Sequence, residues 1–291
     1  MLEDMATISR DPESRLGRNI ARPKSRTTRW LGSRGWVPPT LCGLLGLGIW
    51  QLFVDWLNIP SYLLPGPLEV FETARSHSSE LLDATYVTTW EVIVGFGLAV
   101  AISVPIAVLV VSFRWFEMIF YPLLVILQTV PKIALAPLFV VWFGFGVLPK
   151  VLVTFLICFF PILLDTMTGL RSSNPDMASL VRSMGGGTWS VFRKVRLPAS
   201  LPSFFAGVKV AITLAVVGAV VGEFVGATQG LGYLLLRANA NLETPLLFAA
   251  IMILTILGLI LYYLVSLAER LAIPWHVSQR SESDTTTAPA V

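Results

Sequence analysis

Charged side chains are scarce in this chain of 291 residues. Asp, Glu, Lys and Arg make up 13% of it, about half of what soluble domains carry, while 55% of the residues are hydrophobic. The charges are also segregated, because the first 36 residues and the stretch 171–196 are basic and the runs between them carry almost none. A water-soluble globule needs charge over its whole surface, so that class is excluded.

Histidine and cysteine are scarce as well. His77 and His276 lie outside the apolar runs, and Cys42 and Cys158 form no Cys-x-x-Cys pair, so no metal or other cofactor is expected. An intramembrane enzyme would need two membrane aspartates, a Ser–His pair or a metal motif. Asp165 is the only candidate aspartate in the central apolar runs. The chain also lacks the phosphate-binding Gly-x4-Gly-Lys-Ser/Thr motif, so it has no nucleotide site of its own.

Six apolar runs are long enough to cross a membrane, which takes about 20 residues as a helix. The runs are 37–56, 88–111, 118–142, 148–168, 204–226 and 246–267. We therefore predict an all-α polytopic membrane protein with six transmembrane helices and one transmembrane domain over 37–276. The basic tail 1–36 and the Ser/Thr-rich tail 277–291 are expected to be disordered.

The distribution of Lys and Arg predicts the orientation of these spans. If the first span begins inside, sixteen Lys and Arg lie in cytoplasmic segments, and three lie in outer loops. The positive-inside rule then places both termini in the cytoplasm, with the chain in the plasma or inner membrane. The basic tail serves this topology, and because it has no periodic apolar face, no nucleic-acid partner is expected.

The 169–203 segment is the longest predicted cytoplasmic connection, and its pattern indicates a short amphipathic helix. Asn174 is a good N-cap, Pro175 suits the first helical position, and Asp176 places negative charge in the first turn. The apolar stripe that follows, at spacings i, i+3, i+4 and i+7, consists of Met177, Leu180, Val181 and Met184.

A glycine run separates this helix from a second short one. Residues 185–187 are all glycine and end the first helix. Thr188 can cap the second helix, which Leu197-Pro198 ends before the fifth span. The two helices pack on the membrane domain or lie in its interface, or the first fills a groove on a soluble partner; the pattern alone leaves both open.

Ionisable residues inside the apolar runs are candidates for the transport pathway, because charge is expensive in a bilayer. Lys132, flanked by Gln128 and Thr129, would form a cationic patch that favours anionic substrates. Alternatively, Lys132 reaches the interface or pairs with a carbonyl freed by Pro131. Glu223 either lines an outer gate or caps a local helix break. We expect Glu91, at the start of the second run, to be reached by water.

The 169–203 segment resembles the signature of ATP-binding-cassette importer permeases, which is Glu-Ala-Ala, three residues, Gly, nine residues, Ile, one residue, Leu-Pro. Gly185 takes the glycine position, Val195 replaces the isoleucine, and Leu197-Pro198 matches. Residues 179–181 are Ser-Leu-Val, so the Glu-Ala-Ala element is absent. The resemblance implies that this segment couples to an ATPase through Met177, Leu180, Val181, Met184, Gly185, Val195, Leu197 and Pro198.

Other motifs, in order over about residues 60–276, resemble the nitrate/sulfonate/taurine branch of that family. They include Leu-Pro-Gly-Pro at 64–67, Trp-Phe-Gly-Phe-Gly at 142–146 and Gly-Leu-Gly-Tyr at 230–233. The resemblance implies a permease subunit that moves a small, anionic solute by alternating access. Its partners would be a cytoplasmic ATP-binding subunit, an extracytoplasmic substrate-binding protein and a second permease copy. The alternative is a channel or secondary transporter without an ATPase.

Overall fold

The computed structural model describes residues 37–274, and every regular element in this part of the chain is helical. The two predicted tails, 1–36 and 277–291, lie outside the described residues. The helices are α1 (Val37–Leu57), α2 (Pro67–Ser76), α3 (Ser78–Ser112), α4 (Arg114–Thr129), α5 (Ala136–Phe143), α6 (Val147–Arg171), α7 (Pro175–Ser183), α8 (Thr188–Val191), α9 (Leu197–Gly226), α10 (Leu231–Ala240) and α11 (Thr244–Ala272).

The lengths of these helices agree with a polytopic membrane protein. Four are long and apolar enough to cross a membrane, namely α3, α6, α11 and the continuous helix made by α8 and α9. The pair α4 and α5 meets the same criterion only as one bent unit, and the apolar helix Leu41–Leu57 within α1 is shorter. The described chain thus contains four spans, or five if the bent pair counts as one.

The run 118–142, predicted as one span, is broken in the middle. After α4 the backbone at Val130 is extended, with ψ 129°, and a 3₁₀ turn over Lys132–Leu135 leads into α5. The two arms are bent by 79°. Pro131 explains the break, because proline lacks an N–H and its ring disfavours helical geometry at the residue before it. The predicted third span is therefore present only as a bent pair of helices, which counts as one span if both arms are taken together.

The centre of the bundle is α6, which packs chiefly against α9 and α3. Glycines allow the close approach: a Cβ on Gly95 would lie 2.6 Å from the Cβ of Thr154, and one on Gly218 would lie 2.9 Å from the Cα of Thr154. Small residues at helix contacts are how membrane bundles bring backbones together. The largest apolar cluster lies beside these contacts and includes Val92, Ala99, Cys158, Ile162, Ala211, Ala215 and Leu257.

Short helices lie at both ends of this bundle. At the end where α3 and α6 begin and α9 ends, α2 and α10 pack on α11 through Val70, Leu231 and Leu246; we call it the α10 end. The opposite end, where α6 ends and α9 begins, carries α7 and α8 and is called the α7 end.

The second helix of the 169–203 segment does not stop at Leu197-Pro198. Instead, α8 continues through a wide π-helical turn over Phe192–Arg196 into α9, giving one helix of 39 residues, Thr188–Gly226. In the wide turn the N–H of Leu197 bonds to the carbonyl of Phe192, five residues back. A proline ring clashes with the carbonyl four residues back in a regular helix, and the wider turn before Pro198 lets the helix continue.

Candidate functional site

The first helix of the 169–203 segment forms where its sequence predicts it. The backbone N–H of Asp176 donates to Oδ1 of Asn174 at 2.8 Å, and Pro175 takes the first helical position. This cap satisfies one of the amide groups that a helix N-terminus leaves without an intrahelical partner. The nine-residue helix α7 therefore has a defined start although no residue in it is buried.

The glycine run ends α7 with two hydrogen bonds that define a Schellman motif. The N–H of Gly185 donates to the carbonyl of Arg182 at 2.9 Å, and that of Gly186 donates to Val181 at 2.9 Å. Gly185 has a φ of +83°, which disfavours any side chain there. A Cβ on Gly186 would lie 2.6 Å from Cγ1 of Val181, whereas one on Gly187 would meet nothing within 4 Å.

The apolar stripe of α7 has little cover from the rest of the chain. Met177, Leu180 and Met184 are 52%, 54% and 79% exposed, and Val181 is half-buried. Three large apolar side chains on one short capped helix form an exposed patch suited to a partner's groove. The remaining predicted coupling residues lie at the junction of the wide turn and α9; Val195 and Pro198 are half-buried and Leu197 is exposed.

Lys132 lies directly after the break that follows α4. Its Nζ donates to the backbone carbonyl of Gln128 at 2.9 Å and lies 4.6 Å from the centre of the Phe160 ring. A cation on the last carbonyls of a helix is favourable for the helix dipole. The half-buried Lys132 therefore adopts the carbonyl-pairing arrangement, while the exposed Thr129 donates its hydroxyl to the carbonyl of Ile126 at 2.7 Å.

Glu223 is buried at the α10 end, where its carboxylate holds the start of α10. Thr88 of α3 donates its hydroxyl to Oε1 of Glu223 at 2.6 Å, and the N–H of Gly232 donates to Oε2. The N–H of Leu231 donates in turn to the hydroxyl of Thr88 at 2.9 Å. Gly230, with a φ of +117°, turns the chain into this contact. Of the two interpretations, the geometry corresponds to capping a helix break.

A buried ion pair next to Glu223 was missed by the sequence reasoning. Glu91 of α3 and Lys150 of α6 form a salt bridge, with side chains 0% and 6% exposed. Lys150 packs against the turn that carries Glu223, since a Cβ on Gly222 would lie 2.8 Å from the Cα of Lys150. Glu91 was expected to be reached by water, and that was wrong. The sequence could have indicated this pair, because Glu91 and Lys150 lie near the starts of two apolar runs that are predicted to begin on the same side of the membrane.

The predicted pathway residues do not meet in one place. Lys132 contacts Phe160, whereas Glu223 lies near Lys150, and these two partners are ten residues apart on α6. Ten residues of α-helix span about 15 Å. Among the described helices, the predicted pathway residues therefore occupy two separate places, one at the α4 break and one at the α10 end.

Two adjoining cavities open at the α10 end. The larger, of about 750 Å³, is lined by polar side chains that include Asp83, Gln229 and the ion pair of Glu80 and Arg237. The smaller, of about 340 Å³, shares Gln229 with the first and reaches Glu91. The buried charges therefore lie at the wall of a cavity.

Comparison with known proteins identifies the family. Residues 93–273 match the family described as binding-protein-dependent transport system inner membrane component. The chain belongs to this family. The permease is thus a transport subunit of the inner membrane and not an enzyme, and its family implies a substrate-binding protein and an ATP-binding subunit as partners.

Several relatives match most of the permease. It is 39% identical over 244 residues to the formylaminopyrimidine transport permease protein ThiX of Halalkalibacterium halodurans, covering 83% of this chain and 96% of the relative. It is 38% identical over 245 residues to the riboflavin transport system permease protein RibX of Chloroflexus aurantiacus, covering 83% and 90%. To the putative aliphatic sulfonates transport permease protein SsuC of Bacillus subtilis it is 30% identical over 246 residues, covering 84% and 89%.

The fold of the permease is also found in a solved transporter. An inward-facing structure of the MetNI methionine ABC transporter superposes with a TM-score of 0.59 at 19% identity, covering 67% of this chain and 97% of the other. At this identity the likeness establishes the fold alone.

Proposed function

We propose that this chain is the six-span subunit of an ATP-driven importer, with both termini in the cytoplasm, and that two copies form a homodimeric pathway. Alternating access would follow from rocking of the bundle when the ATPases close. The observation that carries the proposal is the exposed stripe of α7, which is capped at Asn174 and ended by the turn at Gly185. Such a helix is a plug for a groove on the ATP-binding subunit.

Two substrate classes fit this importer. A small anionic solute such as a sulfonate, taurine or nitrate is supported by the cation Lys132 at the α4 break and by relatives named for aliphatic sulfonates. An aromatic heterocycle is supported by the relatives of higher identity, which are named for formylaminopyrimidine and riboflavin. The identities favour the second class, and Lys132 favours the first.

Reconstitution tests both the mechanism and the substrate. The permease, its ATP-binding subunit and its binding protein would be placed in proteoliposomes, and uptake of taurine, formylaminopyrimidine and riboflavin would be measured. We expect one solute to accumulate only when ATP and the binding protein are both present. Uptake that persists without the ATP-binding subunit would instead identify a channel or secondary transporter.

A further inference from the structure

A third cavity lies at the α7 end, between the last turn of α3 and the beginning of the long helix. Its volume is about 320 Å³. It is lined by Val108, Ser112, Arg182, Thr188, Trp189, Val191, Phe192 and Arg196. No acidic side chain is among these residues, so the cavity carries positive charge and has an apolar wall.

The two arginines at this cavity have no counter-charge in the part of the chain that the structure describes. Neither Arg182 nor Arg196 forms an ion pair within residues 37–274. By contrast, Arg171 and Lys209, elsewhere in the bundle, each pair with a glutamate. Unpaired guanidinium groups beside a cavity are suited to a phosphate, which arginine binds with two parallel hydrogen bonds.

The other residues that line this cavity combine apolar side chains with an exposed aromatic ring, as is typical of a membrane–water interface. Val108 and Val191 supply apolar surface, and Trp189, which is 71% exposed, stacks on Phe192 with ring centres 5.5 Å apart. Tryptophan is enriched where a membrane meets water, because its ring is apolar and its N–H is polar. One cavity therefore offers cations, an apolar wall and an interfacial aromatic ring together.

We propose that this cavity binds the phosphodiester headgroup of an anionic membrane phospholipid, with Arg182 and Arg196 on the phosphate and an acyl chain along Val108. The site rests on the proposed orientation, which puts the last turn of the α3 span at the cytoplasmic surface, where basic cavities between spans recognise anionic lipids. A free phosphate ion would leave the apolar wall uncovered. Because Arg182 belongs to α7, an occupied site would tie the position of α7 to lipid composition.

The test compares lipid retention by two double variants of the complete transporter. Arg182→Gln with Arg196→Gln removes two charges that line the cavity, and Arg193→Gln with Lys194→Gln removes two charges from the adjacent turn that do not line it. Each complex is purified from vesicles of phosphatidylcholine containing phosphatidylglycerol, and bound phosphatidylglycerol is counted by native mass spectrometry. Two charges near a membrane surface change affinity by on the order of tenfold or more.

We expect the first double variant to lose most of the retained phosphatidylglycerol and the second to keep it. A third variant, Ser112→Glu, places negative charge beside the cavity and should lose the lipid too. Soluble glycerol phosphate should not displace the lipid from the wild-type complex; displacement would mean an anion site rather than a lipid site. Equal loss in both double variants would mean diffuse attraction and would overturn the proposal.

The remaining outcome concerns the ATP-binding subunit. If the first double variant sheds that subunit and keeps its lipid, the two arginines serve the ATPase contact and the lipid site is rejected. Lipid retention is read separately from solute uptake, so failure of this proposal leaves the importer function standing. If the permease instead transports solute without an ATPase, the measurement of bound lipid still tests the cavity.

Discussion

Glu91 and Lys150 each carry a charge that would be expensive to bury alone. Their side chains are almost fully buried at the wall of the smaller cavity, where the low local dielectric strengthens Coulomb attraction. Replacing both partners of a buried pair is often tolerated, whereas removing one partner leaves an uncompensated charge.

We expect Lys150→Met to destabilise the protein by about 3–5 kcal/mol and the double variant Glu91→Gln with Lys150→Met to recover most of that loss. The measurement is the midpoint of thermal aggregation of the purified protein in detergent. Lys209→Met is the matched control, because its pair with Glu269 is more exposed, at 25% and 18%, and its loss should be smaller. A double variant as unstable as Lys150→Met would contradict the pairing argument.

Lys132 differs from this buried pair, because its side chain is only half-buried and its Nζ donates to a backbone carbonyl. If it serves an anion pathway, Lys132→Met should lower ATP-driven uptake of an alkanesulfonate by about tenfold or more, consistent with a few kcal/mol for a charge at such a site. Lys132→Arg should retain most uptake, and both variants should co-purify with the ATP-binding subunit. Normal uptake by Lys132→Met would leave helix capping as its only role.

The sequence identified single polar residues better than their partners. Lys132 and Glu223 stand out because they interrupt apolar runs, and pairing with a nearby carbonyl was one interpretation of Lys132. Thr88 as the donor to Glu223 could not be read from spacing, because the two residues are 135 positions apart. Their meeting depends on how three helices pack, which a single sequence does not specify.

At the scale of elements, local signals were reliable where backbone chemistry decides the outcome. Asn174 and Pro175 start α7, and Gly185 ends it, as predicted. The two proline effects were harder to assign: Pro131 breaks a predicted span, whereas Pro198 is absorbed by a wide turn. A proline shows that a regular helical hydrogen bond is lost, and packing then determines whether the helix bends, breaks or widens.

The turn after α7 gives the sharpest test of coupling. Gly185→Val places a β-branched side chain at a φ of +83°, which costs about 1–3 kcal/mol locally and should displace α7 without disturbing the spans. We expect normal insertion and dimerisation, but loss of uptake together with loss of the ATP-binding subunit or futile ATP hydrolysis.

The control for this variant is Gly187→Ala. Its φ is −74°, and a Cβ there would meet nothing within 4 Å, so uptake should be close to wild type. Pull-down of the ATP-binding subunit and uptake in vesicles are measured for both variants. Wild-type uptake by Gly185→Val, with a normally bound ATPase, would show that coupling does not pass through this turn.

At the scale of the whole molecule, the apolar runs predicted an all-helical membrane protein, and its class is confirmed by the family match. The number of spans is less certain from sequence, because the described residues contain a broken pair and a shorter first helix in addition to four long helices. Hydropathy measures the length of an apolar run, and it does not show the 79° bend between α4 and α5.

The proposed orientation can be tested with single cysteines in a background lacking Cys42 and Cys158. Ser78, Asn241 and Ser183 are all exposed, so accessibility to a reagent depends on the side of the membrane. Cysteines at Ser78 and Asn241 should react with an impermeant maleimide in sealed cells, and one at Ser183 should react only after lysis. Labelling at Ser183 in sealed cells would invert the topology.

The unbroken course of α9 gives the molecule a mechanical link between its two ends. Its 30 residues make a rod about 45 Å long, with the wide turn and α8 at one end and Glu223 near the other. If the rod pivots at the wide turn, a tilt of about 5° carries the far end through about 4 Å, as follows from its length. Because Glu223 accepts hydrogen bonds from Thr88 and Gly232, such a movement would also displace α3 and the start of α10. A displacement at the α7 end would then change the shape of the cavities at the α10 end.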